Sequence, residues 1–229
     1  MPAENVIATK ELGLRELKRV TQALLLAPDF AQRPSAWLQF PAARLLNPLL
    51  SFLCSPQDLL KWRAVTALGL AVSRIAESDL ESARVVMRRL MWTLCDESGG
   101  IGWGVPETMA ESMALSQSLA AEFSDILIGY IEEDGNCWGN DTLVLGAVWG
   151  LGRLAQVRPQ LLTGAVPGLE QFLGSAQAAF RGTACWALRR IGAPLPHALA
   201  EALLADEAEL ALYVDGELGV RRVCDLARS

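Results

Sequence analysis

Apolar residues recur along much of this chain in steps of three and four. Val65, Leu68, Val72 and Ile75 form one such stripe, the spacing that keeps one face of a helix turned toward its neighbours. The next stretch opens at Ser78-Asp79, side chains suited to an N-cap, and carries Val86, Leu90 and Leu94 on one face before Gly99-Gly100 stops it. The pattern predicts a helix A, a short turn and a helix B. The same signals place A helices at 57–76, 105–122, 138–157 and 176–191, and B helices at 79–95, 124–133, 160–173 and 195–205. Strand signals are absent, so the expected class is all-α.

The units repeat. Sliding the chain by 41 residues lays Leu53-Cys54 on Leu94-Cys95 and Trp62 on Trp103, and a slide of 42 lays Ile131 on Leu173 and Trp138 on Phe180. An aromatic residue thus recurs near the start of each unit: Trp62, Trp103, Trp138, Phe180, and Tyr213 in a degenerate last unit. A period near forty belongs to helical arrays in which each pair packs only on its neighbours. The expectation is one α-solenoid domain of about five helix pairs. Residues 1–54 form an irregular N-terminal capping unit, 55–205 the regular repeats and 206–229 a degenerate C-terminal cap. Pro41 and Pro48 account for the irregular start, because proline removes a helical hydrogen bond.

The segments Trp62-Arg63-Ala64-Val65-Thr66-Ala67-Leu68-Gly69 and Phe180-Arg181-Gly182-Thr183-Ala184-Cys185-Trp186-Ala187-Leu188 resemble the first helix of HEAT-like repeats of the phycobilisome-lyase type. The resemblance spans residues 55–195. It implies a superhelix of antiparallel helix pairs and leaves function open, because such arrays serve as scaffolds, transport receptors, lyases and a few metalloenzymes. The run Asp96-Glu97-Ser98-Gly99-Gly100-Ile101-Gly102-Trp103-Gly104 departs from the pattern. Its glycines follow a predicted helix rather than a strand, which removes the context of a dinucleotide fingerprint. A tight turn between repeats is the simpler reading.

Composition narrows the classes further. The chain is 52% hydrophobic and 20% charged, rich enough to bury a continuous core. Its longest apolar run, Leu143–Gly152, ends at Arg153 and is too short to span a bilayer. The charged residues Lys10, Glu11, Arg15, Glu16 and Lys18 interrupt any signal-like start, so the expected location is the cytoplasm. Five cysteines without a C-x-x-C pair argue against a zinc site or disulfide framework. A single histidine, His197, cannot build a paired-His metal centre. The acidic Glu132-Glu133-Asp134-Gly135-Asn136 lacks a calcium-loop spacing. No cofactor, metal or catalytic set is legible.

Charge supplies the one pointer to a partner. Residues 90–152 contain ten acids and no Lys, Arg or His, and the same window holds Trp92, Trp103, Tyr130, Trp138 and Trp149. Carboxylates beside indole faces suit a cation. The expected site is an acidic, Trp-containing surface formed by Asp96, Glu97, Trp103, Glu107, Glu111, Trp138 and Asp141, with Trp62, Trp103, Trp138 and Phe180 in a row along one edge. Its partner would be another protein, through a basic segment. The opposing reading has the aromatics packed inward and the acids serving solubility. A lyase or chaperone acting on a bound cofactor is the alternative that the family resemblance implies. Nucleic acid is a poor partner at pI 4.9, despite Arg84, Arg88 and Arg89 on one predicted helix.

Overall fold

The computed structural model describes residues 12–32, 34–94, 102–132 and 140–228. In chain order its elements are α1 (Leu14–Leu26), α2 (Ala42–Phe52), α3 (Asp58–Ser78), α4 (Leu80–Leu94), α5 (Val105–Leu115), α6 (Gln117–Gly129), α7 (Asp141–Ala155), α8 (Val166–Glu170), α9 (Ala178–Ile191), α10 (His197–Ala205), β1 (Glu209–Val214), β2 (Glu217–Arg222) and α11 (Val223–Arg228). Helices α3, α5, α7 and α9 stack side by side as the A row, with α2 packed on α3. Helix α4 packs on α3 and α5, α6 on α5 and α7, and α8 on α9. One continuous core runs from Leu17 to Ala227.

Sequence explains the layering. Every residue of α5 from Val105 to Ala114 is buried, the carboxylates of Glu107 and Glu111 included. The B helix α4 instead buries only Ala83, Met87 and Leu90, a single stripe. The Asp79 carboxylate accepts the Ser82 backbone N–H at 3.1 Å, and the Asn140 side chain accepts that of Leu143 at 3.3 Å, so both helices start at side-chain caps. The irregular first unit is tied to α3 by two arginines. Arg63 donates to the carbonyls of Leu25 and Ala27 at 2.8 and 2.9 Å, and Arg74 to those of Trp37 and Phe40 at 3.0 and 3.3 Å.

Three expectations are corrected. The helix expected at 105–122 ends at Leu115 and a new one starts at Gln117, because Ser116 is extended and its hydroxyl accepts the Leu119 N–H. The B helix expected at 160–173 is a chain of 3-10 turns around the short α8, where Gly164, Pro167 and Gly168 interrupt regular winding. The C-terminal cap is not helical throughout. Residues 209–222 form an antiparallel hairpin with Val214 opposite Glu217, turned by Asp215 and Gly216 at φ 53° and 87°. Asp-Gly at two positive φ values is the signature of a two-residue hairpin turn.

The hairpin is a strap across the A row. It starts on α9, where Leu210 fills the space left by Gly182, and reaches α3 and the N-terminal unit, where Gly216 lies against Ala31. The Arg181–Asp206 ion pair at 2.7 Å anchors its base.

Candidate functional site

Equivalent positions of the A helices build the site. Thr66, Trp149 and Trp186 are each the ninth residue of their helix, α3, α7 and α9, and stacking of successive repeats brings such positions together. The Trp149 and Trp186 rings lie 6.4 Å apart at 29°. Tyr213 of β1 enters from the hairpin, stacking on Trp62 at 5.2 Å and 13°. Its hydroxyl meets that of Thr66 at 3.0 Å, and its backbone carbonyl accepts the Trp149 indole N–H at 2.8 Å.

A cleft of about 360 Å³ opens beside this cluster, between the A row, the Phe30–Trp37 segment and the hairpin turn. Phe30, Trp37, Trp149, Trp186 and Tyr213 give it aromatic walls. Its charged groups are Glu111, Arg153 and Asp215. Glu111 is buried and forms an ion pair with Arg153 of α7, while Asp215 is exposed at the turn. Burial raises the Glu111 carboxyl above its usual range and Asp215 adds to the rise, while Arg153 opposes it. The volume is that of a small-ligand or side-chain pocket.

Trp149 and Tyr213 also wall a second, smaller chamber of about 70 Å³, lined by Glu107, Lys61, Thr142 and Thr183 among others. Glu107 sits one helical turn before Glu111 and is 3% exposed, with Oε2 lacking a hydrogen-bond partner. Burial pushes this carboxyl up, and the Lys61 charge only partly opposes that. The carboxylate fits because Gly146 faces it: a Cβ there would stand 2.7 Å from the Glu107 carboxyl carbon.

The expected surface is therefore redrawn. Glu107 and Glu111 come together, but in the interior under the hairpin rather than on an exposed face. Trp103 is half-buried in a different cleft of about 220 Å³, between α2 and α4. Asp141 is exposed at the start of α7, where it accepts a 2.7 Å hydrogen bond from Gln177. Asp96, Glu97 and Trp138 lie outside the described residues. The aromatic row does not form as expected, since Trp62 joins Trp149 and Tyr213 whereas Phe180 stacks on Phe172 at 5.2 Å. Trp149, Trp186, Tyr213, Arg153 and Asp215 are additions from the structure. Aligning the chain at a 37-residue slide, which lays Trp149 on Trp186, would have exposed two of them.

Stacked helix pairs with a single continuous core define an all-α solenoid. Residues 142–191, which span most of α7 through the end of α9, are similar to the HEAT-like repeat family. An uncharacterized protein of Archaeoglobus fulgidus is 26% identical over 176 residues, covering 76% of this chain and 88% of that protein. The crystal structure of an engineered protein superposes with a TM-score of 0.47 at 17% identity, covering 85% of this chain and 80% of the other. No helix among the described residues is long and apolar enough to cross a membrane.

Proposed function

We propose that the chain is an interaction scaffold that captures a basic segment of another protein by seating one of its cationic side chains in the cleft beneath the hairpin. The observation that carries this reading is the placement of Trp149, Trp186 and Tyr213 in one cleft with the carboxylates of Glu111 and Asp215. Carboxylates favour a cation, and the favour grows as water is excluded. The basic-free stretch from residue 90 to 152 supports the same sign of partner. Asp125, Glu132 and Asp141 are further exposed carboxylates in that stretch.

The test is calorimetric titration with a Lys- and Arg-containing peptide and with a Ser- and Gln-substituted control of equal length. Saturable binding of the basic peptide alone is expected, weakening with added salt and falling about threefold in Asp215→Asn. Asn tolerates the positive φ at this position, so that variant keeps the turn. Equal binding of both peptides, or binding unaffected by salt and by Asp215→Asn, sinks the proposal.

A further inference from the structure

The hairpin stands edge-on to the A row. Strand β1 buries Leu210, Leu212 and Tyr213, and the Tyr213 carbonyl points out of the hairpin to accept the Trp149 indole N–H. Strand β2 takes the outer side, with Glu217, Val220, Arg221 and Arg222 exposed. The two-residue turn makes Val214 and Glu217 a hydrogen-bonded pair, and such pairs alternate along an antiparallel ladder. Leu218 and Val220, opposite Tyr213 and Ala211, therefore turn their backbone N–H and C=O groups away from β1. Among the described residues these groups find no backbone partner, and the Val220 carbonyl is met only by the Arg221 guanidinium at 3.0 Å. A sheet edge left open in this way is a template for another strand.

The residues along this edge are complementary to a second copy of themselves. Laid antiparallel about Gly219, the run Glu217-Leu218-Gly219-Val220-Arg221 sets Glu217 against the partner's Arg221, Leu218 against the partner's Val220 and Gly219 against the partner's Gly219. Backbone and side chains agree on this register, because Leu218 and Val220 are the residues whose outward groups would exchange bonds across the axis. The charges at the two ends of the run are also unspent. Among the described residues Glu217 and Arg221 form no ion pair, and the Arg221 guanidinium folds back over Gly219 onto the neighbouring carbonyl. Opposite charges directly across a ladder attract, and like charges repel. We infer that β2 is a self-association edge, through which two copies of the chain join their hairpins into one continuous antiparallel sheet closed at both ends by Glu217–Arg221 pairs. The same patch serves both partners, as a twofold interface requires. None of these residues lines the cleft, so the surface is separate from the proposed cation site.

Sedimentation equilibrium of the intact protein over a range of concentrations measures the association, and amide exchange followed by NMR locates it. The wild type is expected to reach a dimer as concentration rises, with the Leu218 and Val220 amides protected only in the dimer. Glu217→Arg and Arg221→Glu each set like charges opposite one another, and each is expected to weaken self-association at least about tenfold. An equimolar mixture of the two variants restores a dimer, because every cross-strand charge pair is again opposite in sign. Both side chains are exposed and bond no other element, so the variants keep the fold. A wild type that stays monomeric at every concentration overturns the inference, since the arginines then only guard the edge. A dimer indifferent to both charge reversals, or one that leaves the Leu218 and Val220 amides exchanging freely, overturns it as well. So does a pair of weakened variants that fail to recover on mixing.

Discussion

Trp149 donates its indole N–H to the backbone carbonyl of Tyr213 at 2.8 Å, across 64 residues of sequence, and both groups are buried. With the bond between the Tyr213 and Thr66 hydroxyls, it links the A row to the strap. Trp149→Phe keeps most of the ring but leaves the Tyr213 carbonyl unpaired. The expected cost is about 1–3 kcal/mol for the stranded acceptor, plus the lost ring area. Urea denaturation followed by circular dichroism measures it, and an unchanged midpoint would show the bond to be energetically idle.

Glu107 and Glu111 are adjacent on one face of α5 yet respond oppositely to neutralisation. Glu107 has an unpartnered oxygen, so Glu107→Gln removes a costly buried charge and raises stability at pH 7.5 by about 1–3 kcal/mol. The folded carboxyl is raised above its unfolded value. The wild type therefore has its full stability below the unfolded carboxylate pKa and loses it as pH rises through the folded value. The gain from Glu107→Gln shrinks accordingly as pH falls into the acid range. Glu111→Gln leaves Arg153 without its ion-pair partner and destabilises instead. Denaturation curves at several pH values, run on both variants, distinguish the two carboxyls by sign.

The Tyr213 phenol is pushed up to about 12 by burial, with the Thr66 hydroxyl opposing. An unfolded tyrosine ionises near pH 10. Between those values the unfolded state has lost a proton that the folded state keeps, so stability falls as pH rises through this window. Tyr213→Phe removes that alkaline slope. Thermal melts between about pH 9 and 11 test this against the wild type, and an unchanged slope would falsify the assignment to Tyr213.

Thiol reactivity should follow position in the fold. Cys54 is exposed after α2, whereas Cys185 is wholly buried in α9 and its thiol is pushed up to about 12, chiefly by burial. Brief alkylation at neutral pH followed by peptide mapping is expected to label Cys54 and spare Cys185. Rapid labelling of Cys185 would mean that α9 opens more readily than its packing allows.

The A helices were legible because their apolar steps repeat from unit to unit, as at Val65, Leu68, Val72 and Ile75. The caps at Asp79 and Asn140 mark two helix starts. The hairpin was hidden by the repeat itself: assigning Tyr213 to a fifth helical unit masked the alternation of Leu210 and Leu212 and the Asp215-Gly216 turn. The acidic window located Glu107 and Glu111 in the chain but not in depth. Composition cannot tell an exposed carboxylate from one admitted to the interior by a facing glycine such as Gly146. The cleft depends on which ninth positions meet across α3, α7 and α9 and on a strap arriving from the far end, and neither is a local property of the sequence.

The strap also bears on how the array can change length. An open solenoid tolerates gain or loss of a unit, since each repeat answers only to its neighbours. Here Tyr213 must reach Trp62 and Trp149 together, and Gly216 must reach Ala31. Duplicating one helix pair between α3 and α9 would carry the hairpin's landing points apart by the width of a repeat, further than its two-residue turn can stretch. The number of units is thus fixed by the span of the hairpin, and this array can diversify by substitution within its cleft but not by lengthening.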